Sequence, residues 1–147
     1  MNILLAQEVK KRVLAEPKAV NMNFFCEIMK DPKKNLCNTV GCIAGHAIMA
    51  SGISLKTIKT LELDNLDEIG RGLLRISKAK AKQLFYFFAD DKAVESGDEL
   101  EKDCPYVQFA RRLRKQRPGS ERYAKIVADA IDHCMYRHAN ELQLMDE

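Results

Sequence analysis

The chain has 147 residues, 46% of them hydrophobic and 31% charged, which suffices to bury one contiguous core and lies far from the composition of disordered chains. Its formal charge of +3 is too small to imply a nucleic-acid partner by itself, and no apolar run approaches the roughly 18 residues that cross a bilayer. Five cysteines, Cys26, Cys37, Cys42, Cys104 and Cys134, form an odd, scattered set that fits reduced thiols in a cytosol better than a secreted disulfide framework.

From Ile3 to Ala15 the residues Leu4, Leu5, Val9, Val13 and Leu14 recur at mostly three- and four-residue spacings, with charged residues between them, which predicts a first amphipathic helix. The run Met1 to Gln7 has no basic segment before it and no small-residue cleavage site after it, so no export signal is expected. Glu16-Pro17 ends the helix, because a residue before proline is driven from the helical basin. Phe24, Phe25, Ile28 and Met29 predict a shorter second helix, closed by Asp31-Pro32.

Lys33 to Asn38 reads as a polar turn, after which Thr39 is placed to cap a helix running through Gly41 to Ser51-Gly52. Gly41 and Gly45 lie four apart, with Ala44, Ala47 and Ile48 on the adjoining surface, so a neighbouring helix is expected to approach closely there. Asn65 to Leu74 predicts a further helix with Leu66, Ile69, Leu73 and Leu74 inward. Ser77 caps another, Lys78 to Phe88, whose Ala81, Leu84, Phe85 and Phe88 supply core.

Asp90 to Asp103 holds seven acidic and two basic residues and reads as a surface connection. Helical pattern returns from Pro105 and leads into the basic stretch Arg111, Arg112, Arg114, Lys115 and Arg117, which Pro118-Gly119 closes. Ser120 then caps the last helix. There Tyr123, Ile126, Val127, Ala130, Ile131, Cys134 and His138 keep one face. No internal repeat or alternating strand pattern is visible, and the expected fold is a single all-α domain over residues 1 to 147, a compact irregular bundle of about six to eight helices.

The segment Cys37-Asn38-Thr39-Val40-Gly41-Cys42-Ile43-Ala44-Gly45-His46-Ala47 resembles the Cys-Gly-Thr-x-x-Cys-x-Ala-Gly-Trp/His-Ala signature of an uncharacterised family of small bacterial and phage proteins. Arg12-Val13-Leu14-Ala15-Glu16-Pro17 upstream, and Leu73-Leu74 and Leu84-Phe85-Tyr86 downstream, are similar to what surrounds that signature. Asn38 stands where the family usually has glycine, and both residue types tolerate a left-handed turn. The resemblance implies a compact helical fold and lends no activity. Because it admits tryptophan at the place of His46, it also implies that this ring is not an obligatory base or ligand.

Three chemistries compete for this segment. Cys42 and His46, four apart, would share a helical face with Cys37 folded back beside the helix start, giving a thiol-imidazole pair for acyl or thiol transfer. In the packing alternative, both cysteines act as small buried hydrophobes and His46 sits at a helix contact. A zinc site would need Cys37, Cys42 and His46 with Cys104, His133, Cys134 or His138 as a distant fourth ligand, and the spacing fails the usual paired-cluster pattern. No orienting carboxylate or oxyanion donor accompanies the thiols, so no catalytic residue is assigned, with Cys37, Cys42 and His46 kept as candidates. No cofactor or metal is expected.

The expectation is therefore a non-enzymatic cytoplasmic binding or regulatory protein, in a bacterial or phage setting that includes defence, acting on a protein partner and not on a membrane. Two alternatives stay open: a cysteine-dependent enzyme using Cys37 or Cys42 with His46, and a nucleic-acid-binding module using Arg111, Arg112, Arg114, Lys115 and Arg117.

Overall fold

A computed structural model describes residues 1–22, 27–28, 39–40, 42–53, 57, 66–86 and 105–145. The protein is all-α. The described residues include α1 (Ile3–Ala15), a 3-10 turn (Pro17–Ala19), α2 (Ile43–Ala50), α3 (Leu66–Leu74), α4 (Lys78–Tyr86), α5 (Pro105–Arg114) and α6 (Glu121–Met145).

Helix α1 opens on Asn2, whose side chain accepts from the Leu5 amide at 3.1 Å, satisfying one of the donors a helix start leaves without an intrahelical acceptor. The same residue joins α1 to the end of α3, since its amide donates to the Leu74 carbonyl at 2.7 Å and its Nδ2 to the Leu73 carbonyl at 3.3 Å. The buried stripe of α1 is Ala6, Val9 and Val13. Leu4 and Leu14, expected on the apolar face, stand 80% and 42% exposed. As predicted, Glu16 terminates the helix and Pro17 starts the 3-10 turn.

Two expectations in the next segment are corrected. Glu27–Ile28, placed in a second helix, pairs antiparallel with Thr39–Val40, with Glu27 opposite Val40 and Ile28 opposite Thr39. Inter-strand pairing has overridden a short helical pattern that offered few intrahelical bonds of its own. The remaining residues of that predicted helix lie outside the described residues, apart from these two. Thr39 consequently lies in a strand and is not a cap: α2 begins later, with Cys42 as its N-cap in extended conformation (φ −79°, ψ −176°).

Helix α2 is buried from Ile43 through Ile48, and it packs on α3 and α1. A close approach involving the small residues of α2 is found at Ala44, where a glycine of α3 meets it; Gly45 is buried in α2, and Gly41 lies outside the described residues. A Cβ on Gly70 of α3 would stand 2.9 Å from the Ala44 Cβ and 3.0 Å from its Cα. Hydrogen at Gly70 thus sets how near the two helices come.

Helix α6 is the longest element. Ser120 caps it, its Oγ accepting from the Tyr123 amide at 3.2 Å, and Gly119 turns the chain into it at φ +81°, a conformation glycine adopts without a Cβ penalty. Tyr123, Ile126, Val127, Ala130, Ile131 and Cys134 are buried as predicted, together with Ala124 and Ala128, whereas His138, expected on the same face, is only partly buried. This face lies along α1, with α5 beside it, and Val9, Val13, Val127 and Ile131 share the main core with Leu84 and Phe85 of α4. Each such side chain, fully withdrawn from water, contributes about 1.5 to 3 kcal/mol. A smaller apolar cluster centres on Ile48 and Leu66. No helix among the described residues is long and apolar enough to cross a membrane.

Candidate functional site

The first sequence candidate is the Cys42–His46 pair. Cys42 caps α2, and its carbonyl accepts the amide of His46 at 2.9 Å, so the four-residue spacing is that of the helix's first backbone bond. The thiol is 1% exposed and the imidazole 2%. Nε2 of His46 lies 3.0 Å from the Ala19 carbonyl oxygen, an acceptor only, so Nε2 carries the proton and donates.

That leaves Nδ1 as the lone-pair nitrogen, and it has no hydrogen-bond partner among the described residues. Burial pushes the pKa of His46 below histidine's ordinary value. The bond to Ala19 opposes this, the positive charge of Arg12 adds to it, and Glu16 again opposes it. The ring is therefore a neutral strut between α2 and the 3-10 turn.

A nucleophilic thiol needs an electropositive, partly accessible setting, whereas Cys42 belongs to the apolar core. Cys37 lies outside the described residues. Cys134, named as a distant metal ligand, is buried among the core residues, and burial raises its thiol pKa, against a lowering by the Tyr106 hydroxyl. His133 packs edge-on to Tyr106 and Phe109, with centroids 5.4 and 6.0 Å away, while His138 faces the Met1 amine at 2.9 Å. Among the described residues no three His, Cys, Asp or Glu side chains converge as a metal site would require.

The second candidate is the basic stretch. Helix α5 ends at Arg114, so Lys115 and Arg117 belong to the turn after it and not to the helix. This separates the five cations. Arg112 and Lys115 line a cavity of about 710 Å³ where the end of α1, the end of α5 and the start of α6 meet. Arg111, Arg114 and Arg117 do not line it.

Sequence reasoning missed the other half of this cavity. Arg122 and Lys125 of α6 face Arg112 and Lys115 across it, Leu14, Ala15 and Pro17 form an apolar wall, and Glu121 adds one carboxylate. Arg122 and Lys125 are three apart on one helix face, a signal present in the sequence. Nothing in it says that this face stands opposite α5. The geometry depends on Gly119, where a side chain's first carbon would lie 3.5 Å from the Lys18 Cα and 3.9 Å from the Pro17 carbonyl oxygen, so the α5–α6 turn rests on the 3-10 turn.

Asp129 partly neutralises the site, its two oxygens accepting from Arg112 at 3.3 Å and Lys125 at 3.1 Å. Arg112 also lies 6.0 Å from the centroid of the Phe109 ring, a modest further attraction. Lys115 and Arg122, both exposed, form no ion pair with any described carboxylate. The acidic stretch Asp90 to Asp103, which precedes these cations in sequence and carries the opposite charge, lies outside the described residues. Among the described residues, the arrangement offers two cations paired with Asp129 and two without a carboxylate partner, beside an apolar wall.

Family models, curated proteins and solved structures yield no match to this chain.

Proposed function

We propose that this chain is a non-enzymatic cytoplasmic binding protein that acts by contact with another protein, through the cavity between α1, α5 and α6. The observation that carries the reading is the contrast between its two candidate sites. The residues with chemical potential, Cys42 and His46, are packed and engaged inside the core. The cations Lys115 and Arg122 line an open cavity, and no described carboxylate pairs with them. The odd, scattered set of five cysteines fits a reducing compartment.

The test places a photo-crosslinking amino acid in the full-length protein at position 115, and in a control at Leu142, which is half-exposed far along α6. The expected result is a discrete protein adduct from position 115 with none from position 142. Absence of an adduct at 115, together with a thioesterase or thiol-transfer activity abolished in Cys42→Ser, would return the enzyme reading.

A further inference from the structure

We infer that the occupant of the α1–α5–α6 cavity is an acidic amphipathic segment of the partner, with one apolar side chain against Leu14 and carboxylates on Lys115 and Arg122. This rests on the binding reading above and adds the chemistry of the ligand. Leu14 is 42% exposed at the end of a helix whose other face is core, and it forms the wall of the cavity with Ala15 and Pro17. An exposed leucine beside cations that no described carboxylate pairs suits a ligand with both characters, since apolar contact supplies affinity and charge complementarity supplies register.

The cavity's volume of about 710 Å³ lies in the range of small-ligand pockets, about 300 to 1,000 Å³, so it receives a few side chains of a segment and not a folded surface. A nucleic-acid backbone fits it less well. Among the described residues no aromatic side chain lines the cavity for base stacking. Glu121 lies in the lining, and Asp129 already holds Arg112 and Lys125, so closely spaced phosphates would meet carboxylates between the cations.

The probe is a short fluorescein-labelled peptide with Glu and Leu at helical spacing, titrated into the full-length protein and followed by anisotropy. The same peptide with Gln for every Glu, and a labelled oligo-dT, serve as comparisons. The acidic peptide is expected to bind, the Gln peptide and oligo-dT to bind at least about tenfold more weakly, and Lys115→Glu with Arg122→Glu to weaken the acidic peptide about tenfold or more. Leu14→Ser is expected to weaken it about fivefold. All three positions are exposed, and unchanged helical circular dichroism of the variants keeps the comparison fair.

Tighter binding of oligo-dT that ignores Leu14→Ser overturns the inference in favour of a phosphodiester ligand. Peptide binding untouched by the variants, or no peptide binding, overturns it as well. The two readings fail separately: a protein adduct from position 115 that the acidic peptide does not displace removes only this inference, whereas absence of an adduct removes the binding reading beneath it.

Discussion

The Nε2–H of His46 donates to the carbonyl oxygen of Ala19 across 3.0 Å, so a neutral imidazole in the core ties α2 to the turn that follows α1. Removing it to alanine leaves a cavity and an unsatisfied carbonyl, at a cost of about 2 to 4 kcal/mol in unfolding free energy. His46→Gln can keep a donor near the same carbonyl and is expected to retain more stability than alanine, as read in urea melts near neutral pH.

The same residue sets a pH dependence. Burial lowers its folded pKa from the ordinary 6.5, so below that value the unfolded chain binds a proton that the folded one refuses. The stabilisation is complete above pH 6.5 and is lost as pH falls from there through the lower folded value, by about 1.4 kcal/mol per unit while one proton separates the states. His133, also lowered by burial, acts in the same sense. Urea midpoints measured down an acid series should fall less steeply in His46→Gln, and an unchanged slope would sink the assignment.

Gly70 and Gly72 of α3 should respond oppositely to alanine. At Gly70 the new methyl meets the Ala44 Cβ at 2.9 Å and its backbone at 3.0 Å, so the helices must part, at about 1 to 3 kcal/mol. At Gly72 nothing lies within 4 Å, and alanine should stabilise by about 0.5 to 1 kcal/mol through helix propensity. Thermal melts of the two variants, moving in opposite directions, check the α2–α3 contact.

Tyr123 accepts the Met22 amide at 2.9 Å in a buried setting. Tyr123→Phe retains the ring and orphans that N–H, which costs about 1 to 3 kcal/mol. Burial also raises the phenol pKa, so ultraviolet titration should show a late tyrosine ionisation that the phenylalanine variant reduces.

Cys42 and Cys134 should resist alkylation in the native protein, because both are buried and the Cys134 thiol is held above its ordinary pKa by burial. Peptide mass spectrometry should find both sites labelled at a rate that denaturant accelerates. Rapid native labelling of Cys42 would contradict its core placement and reopen thiol chemistry.

Much of the helical plan can be read from spacing alone. The Ser120 cap, the Glu16-Pro17 stop and the buried face from Tyr123 to Cys134 follow from local rules that need no knowledge of neighbours. The Glu27–Ile28 pairing with Thr39–Val40 could not be read that way, because a two-residue ladder is defined by a partner distant in sequence. Leu4 and Leu14 show the same limit: helical period fits them to an apolar face, yet Ala6, Val9 and Val13 are what meet α6 and α2.

The candidate site divides along this line. Sequence by itself determined that Cys42 and His46 are one helical turn apart and that a cationic stretch follows Phe109. Only the tertiary structure decided that the first pair is sealed in the core by Ala19 and its neighbours. It also decided that Arg112 and Lys115 face Arg122 and Lys125 with Leu14 beside them. The physical reason is that a helix's periodicity fixes which residues share a face, whereas which face is covered, and by what, depends on contacts between segments a hundred or more residues apart, such as Tyr123 with Met22.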